Sequence, residues 1–116
     1  MRQAVAGLLA LFVALAAQCP RAHADTVAYL FNVLVRPGYG FGNADEALAY
    51  GNLLCGQVAQ SRGYAEIIAE AKADLNTSDD YQASYLISQA VNELCPQHIW
   101  QLRNSAAHYR PTGGPT

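Results

Sequence analysis

The sequence has no cluster of basic residues: past the first two dozen positions, Arg36, Arg62, Lys72, Arg103 and Arg110 stand singly. Proteins that grip phosphate backbones or anionic lipid surfaces concentrate such charge on one face, so no nucleic-acid partner is expected. Histidine is as sparse. His98 and His108 are ten residues apart with no cysteine or carboxylate at ligand spacing, so neither a metal nor any other cofactor is implied. No Cys-x-x-Cys occurs, and Ser61, Ser78, Ser84, Ser88 and Ser105 all lack a Gly-x-Ser-x-Gly setting. No glycine-rich phosphate loop joins a strand to a helix. Useful strand alternation is missing as well, which points to an all-α fold. The longest apolar run, fourteen residues from Ala4 to Ala17, is shorter than the ~20 residues a membrane-spanning helix needs, so no membrane span is expected.

What is present begins at the N-terminus. Arg2 precedes the apolar run, a polar stretch follows it, and Ala22-His23-Ala24 supplies the small residues signal peptidase requires. The order predicts a cleavable signal peptide over 1–24, cut between Ala24 and Asp25, and a secreted or extracytoplasmic protein. A buried N-terminal core helix is the alternative, but it does not account for the basic start and Ala-x-Ala finish. Lipidation at Cys19 is a second alternative, and it is disfavoured because Gln18 and Ala16 stand where a small residue and Leu are usual. Removal of 1–24 leaves five basic against nine acidic side chains, a net charge of −4.

It also leaves two cysteines, Cys55 and Cys95. An even count in a small exported domain reads as a disulfide, with two buried free thiols as the alternative. Closing that 40-residue loop is worth ~4 kcal/mol in the chain-entropy model.

The remaining chain reads as four to five short helices. Asp25 can cap a first helix whose stripe Val27, Leu30, Phe31 and Leu34 recurs at helical spacing and which ends before Pro37. Arg36 to Gly42 is a glycine-rich loop carrying Tyr39 and Phe41. Asn43, with Glu46 three residues on, opens a second helix with Ala47, Leu48, Gly51, Leu54, Cys55 and Val58 inward. Gly51 marks a close crossing of another helix. After a break at Ser61 to Gly63, Tyr64, Ile67, Ile68, Ala71 and Leu75 form the third stripe. A turn from Asn76 to Asp79 leads into a fourth helix bearing Ile87, Ala90, Val91 and Leu94, stopped by Pro96. A short helix follows between His98 and Ala107. The expected domain is 25–108, with 109–116 a flexible Pro/Gly tail.

Candidate chemistry is thin, and no catalytic residue is assigned. Glu93 and His98 form a conceivable acid/base pair, but their spacing across Pro96 does not make them face each other. Asp79-Asp80 fits the electrostatics of a helix start. Tyr39 and Phe41 are a candidate binding loop, since rings on such a loop can stack on sugars or dock in a groove, or fold back over the bundle instead. Tyr81 and Tyr85, one turn apart on the fourth helix, form a second candidate patch, with half-buried packing as the favoured reading.

With a signal peptide, an Asp-led helix, a Gly-rich loop, Gly51-x-x-x-Cys55 and Ala90-Val91-x-x-x-Cys95-Pro96, the chain resembles the small exported mycobacterial proteins grouped as domain of unknown function 732. The resemblance covers Asp25 to Pro96. It implies a helical domain with Cys55 bonded to Cys95 in an actinobacterial envelope or culture medium, and it brings no activity or catalytic residue. Together these readings predict a non-enzymatic interaction module for a protein, peptide or envelope glycolipid. The alternative is a cell-wall enzyme or accessory with Glu93, His98 or Asp80 as acid/base groups.

Overall fold

The computed structural model describes residues 25–110; the expected leader up to Ala24, with Cys19, and the last residues of the tail lie outside the described residues. Among the described residues the chain is all-helical, with α1 (Thr26–Leu34), α2 (Ala44–Ala59), α3 (Tyr64–Asp74), α4 (Asp80–Leu94), a 3-10 turn (Pro96–His98) and α5 (Ile99–Ala106).

The starts of α1, α2 and α4 follow from short polar side chains. Asp25 accepts the Ala28 N–H at 2.9 Å, and Asp79 accepts those of Tyr81 and Gln82. Asn43 accepts from the Glu46 N–H at 2.9 Å, but Glu46 reaches back to the N–H of Gly42 rather than to that of Asn43, so the expected capping box is displaced by one residue. The ends of α2 and α3 share one device. Ser61 and Asn76 adopt the left-handed conformation, at φ 63° and 54°, and the following N–H groups of Arg62 and Thr77 bond the carbonyls of Gln57 and Lys72.

The core lies around α4, whose Ala83, Leu86, Ile87, Ala90, Val91 and Leu94 are buried against α1, α2 and α3. Each fully buried Leu, Ile or Val side chain among them contributes about 1.5–3 kcal/mol. The stripes expected on the second and third helices are largely seen: Ala47, Gly51, Leu54, Cys55, Val58, Ile67, Ile68 and Ala71 are inside, while Leu48 and Leu75 are half-buried.

The first helix corrects the sequence reading. Its buried residues are Tyr29 and Val33; of the expected stripe Leu30 packs half-buried against the core, while Val27 and Phe31 are 78% and 68% exposed and Leu34 also faces out. α1 is apolar on two faces, and a tertiary fit decides between them. The Tyr29 ring sits against Gly51, where a Cβ atom would come within 2.7 Å of its hydroxyl end, and its O–H donates to the Ala47 carbonyl at 2.7 Å. Gly51 is thus a close approach as expected, made by a tyrosine ring and the Leu94 side chain.

Cys55, inside α2, and Cys95, directly after α4, are at disulfide-bonding distance, with their Cα atoms 6.1 Å apart. Past α5 the chain stays packed longer than expected: Tyr109, assigned to the tail from sequence, is half-buried against Tyr64.

Candidate functional site

The residues singled out from sequence do not converge. Tyr39, the first of the two loop aromatics, is turned inward and only 7% exposed; its O–H donates to the Gln82 carbonyl at 2.8 Å. Burial pushes that hydroxyl's pKa up to about 12. Gly38 and Gly40, at φ 102° and 70°, let the loop turn back so that Phe41 lies half-buried between Tyr39 and Tyr50, with ring centroids 6.2 and 5.9 Å away. The pair covers the bundle, which is the second of the two readings open for it. Asp80 and Glu93 stand near opposite ends of the fifteen-residue α4, about 20 Å apart at 1.5 Å per residue. Among the described residues the Glu93 and His98 side chains make no hydrogen bond to each other, and no group of three His, Cys, Asp or Glu side chains is placed to hold a metal ion.

A different constellation forms where α3 and α4 begin and the chain leaves α5. Tyr64 opens α3, Asp80, Tyr81 and Ser84 occupy the first turns of α4, and Tyr109 follows α5, its N–H bonded to the Ala106 carbonyl at 3.0 Å. These five side chains line an open, mainly apolar cleft of about 420 Å³. The Tyr64 and Tyr109 rings meet edge to face at 5.0 Å, the arrangement that ring quadrupoles favour. Tyr81 is 65% exposed, so it is not the half-buried residue expected from sequence. Arg36 lies over Tyr85 at 3.9 Å and over Tyr81 at 5.5 Å, which braces the exposed ring.

Asp80 is the polar anchor of the cleft. One carboxylate oxygen accepts from Lys72 Nζ at 2.6 Å and the other from the Tyr109 hydroxyl at 2.8 Å. Burial works to raise the Asp80 pKa, but these two hydrogen bonds and the Lys72 charge outweigh it and hold the carboxyl below its usual range. Burial, together with the hydrogen bond to a carboxylate, pushes the Tyr109 hydroxyl up to about 12. At neutral pH the cleft therefore presents an ionised but paired carboxylate and intact Tyr64 and Tyr109 hydroxyls. Asp79 caps α4, as the sequence implied, whereas Asp80 has the larger role.

Lys72 and Asp80 were legible only as one charge off a helical stripe and one at a helix start. The chain turn between α3 and α4 brings them together. Tyr64 and Tyr109 lie 45 residues apart, and no local spacing signals their pairing.

Among the described residues no helix is long and apolar enough to cross a membrane. Neither a curated protein nor a solved structure matches the chain. The family described as "Protein of unknown function (DUF732)" matches residues 24–97, which takes in both cysteines, Gly51 and every cleft residue except Tyr109. The chain is a member of that DUF732 family.

Proposed function

We propose that this protein is an exported, non-enzymatic binding module of an actinobacterial envelope or culture medium, and that its contact surface is the tyrosine-lined cleft between the starts of α3 and α4. The observation that carries the reading is the cleft itself: three tyrosines and a serine around a carboxylate whose charge is already paired. Catalysis by acid and base needs titratable groups free to exchange protons with a substrate, whereas Asp80 and its titratable neighbours Lys72 and Tyr109 are engaged with one another. Recognition needs only an apolar platform with a few placed polar atoms, which this cleft supplies.

Export is supported by the leader pattern in the sequence and by the two cysteines at bonding distance, which suit an oxidising compartment. The N–H of Asp25 also donates to the Glu93 carbonyl. Cleavage before Asp25 would put the new ammonium group at the start of α1, where the helix dipole opposes a positive charge, and at the C-terminal end of α4, whose dipole favours it.

Intact mass of the protein recovered from culture medium, alkylated without reduction, tests the export half. A mass for 25–116 with no added alkyl groups and two hydrogens missing is expected; an unprocessed, cell-retained chain would overturn it. For the binding half, a screen of small hydroxylated and aromatic compounds by amide NMR shifts should give hits at Tyr64, Tyr81 and Tyr109. Hits confined to other faces would move the contact surface away from the cleft.

A further inference from the structure

The cleft is chemically selective about what it can hold. A purely apolar ligand would strip water from the remaining lone pairs of the Asp80 carboxylate and of the Ser84 and Tyr109 hydroxyls and offer them no donor in its place. A cation, such as a quaternary ammonium group in an aromatic cage, wants an unpaired carboxylate, and here Lys72 already sits 2.6 Å from Asp80. An anion would find no cationic side chain among the five that line the cleft, and would face the Asp80 charge. What remains is a neutral molecule with one apolar face and a rim of hydroxyl groups.

We propose that the cleft binds a neutral pyranose saccharide, its C–H face stacked on the exposed Tyr81 ring and its hydroxyls bonded to Asp80, Ser84 and Tyr109. This deepens the binding-module reading and rests on it. The polarised C–H bonds on one face of a pyranose meet the negative face of an aromatic ring favourably, and Tyr81, a residue 65% exposed, has the Arg36 guanidinium over one face of its ring at 5.5 Å, so the stacking would use the opposite face. The polar capacity is there too. A carboxylate has about four acceptor positions, and Lys72 and Tyr109 use one each, so two remain for sugar hydroxyls. Tyr109 donates its proton to Asp80 and keeps its oxygen as an acceptor. Ser84 donates to the Tyr81 carbonyl at 3.2 Å and likewise keeps lone pairs for a ligand. At about 420 Å³ the cleft admits one or two sugar rings.

The test is amide NMR titration of the processed, disulfide-bonded protein with methyl glucoside, methyl galactoside, N-acetylglucosamine, maltose and cellobiose. Glucuronate, glucosamine, choline and phenol serve as charged and non-saccharide counterparts. Saturable shifts at Tyr64, Asp80, Tyr81, Ser84 and Tyr109 with at least one neutral saccharide, weakened about tenfold or more by Tyr81→Ala, are the expected result. Ser84→Ala, which removes a polar contact and leaves the aromatic surface in place, is the second variant and should weaken the same saccharide. Choline, phenol or a charged sugar shifting these residues while every neutral saccharide fails would overturn the saccharide assignment and leave the binding module standing. A saccharide that binds Tyr81→Ala and Ser84→Ala as well as the parent would overturn it too. If no compound shifts the cleft, both readings fall.

Discussion

At its C-terminal end, α4 meets Gly51, the Tyr29 ring and the Cys55–Cys95 pair so closely that a single added carbon has no room; at its N-terminal end, Asp80, Tyr81 and Ser84 stand around an open cleft. The same helix is therefore a structural strut at one end and an available surface at the other. The closed end is held by contacts between residues far apart in sequence, the Tyr29 ring over Gly51 the tightest of those anchored by a hydrogen bond. At the open end three tyrosine rings and an ion pair lie where a well-filled interior would have placed aliphatic side chains. A small domain has few aromatic residues with which to complete its core. Leaving Tyr81 largely in solvent, on a helix whose other face is fully buried, makes this end the place to look for binding.

The comparison breaks most sharply at the disulfide. Replacing both Cys55 and Cys95 by Ala should lower unfolding free energy by about 4 kcal/mol, the loop-closure entropy of a 40-residue loop. Urea denaturation of the oxidised parent and the double variant measures it, and a loss under about 1 kcal/mol would show that the closed end is secured by side-chain fit alone. Next comes Gly51→Ala. The new Cβ would lie 2.6 Å from Leu94 Cδ1 and 2.7 Å from the Tyr29 hydroxyl end. Leu94 can swing away, but Tyr29 is fixed by its bond to Ala47. Overpacking of about 1–3 kcal/mol, less the roughly 1 kcal/mol helix-propensity gain of Ala, leaves a net loss of about 0–2 kcal/mol. A variant more stable than the parent would mean that the tyrosine moves freely.

How far each end could be read in advance follows from the range of the interactions. The caps at Asp25, Asn43 and Asp79 are local, and the sequence displays them. Gly51 and the cysteine pair were legible because a helical glycine and an even cysteine count each have few structural uses. The inward face of α1 was legible only in part: Leu30 of the expected stripe packs against the core, but the fit of the Tyr29 ring over Gly51 turns Tyr29 and Val33 inward in place of Val27, Phe31 and Leu34. The cleft was still less visible, since it joins Tyr64, Asp80 and Tyr109 from three segments. The loop with Tyr39 and Phe41 drew attention by composition, yet its rings serve to cover the bundle.

At the open end the ion pair is the next largest effect. Asp80→Asn should cost about 1–2 kcal/mol at pH 7 through the weakened hydrogen bonds to Lys72 and Tyr109. The dependence on pH has a definite sign. Because the folded-state Asp80 pKa lies below that of the unfolded chain, its contribution is fully present above the unfolded value near 4 and is lost as pH falls through the lower, folded value. The gap in stability between the parent and Asp80→Asn should therefore be constant from pH 7 to 5 and close at lower pH. A gap that persists unchanged to pH 2 would show that the carboxylate charge is not what holds this corner together.

The smallest expected effect on stability is the sharpest test of the contrast between the two ends. Tyr81 is 65% exposed, its backbone N–H is bonded to the Asp79 cap, and its ring touches the fold mainly through the distant side of Arg36. The cap bond involves main chain only and survives truncation. Arg36 lies closer to Tyr85, at 3.9 Å, and keeps that partner. Alanine also has the better helix propensity, by a few tenths of a kcal/mol. Tyr81→Ala should therefore change stability by less than about 0.5 kcal/mol in either direction, measured by thermal or urea unfolding. A residue kept for binding can be removed without harm to the scaffold, whereas one kept for the scaffold cannot. A loss above about 1.5 kcal/mol would place Tyr81 with Tyr29 among the residues that hold the bundle, and the open end would then be only a less tightly filled part of the same core.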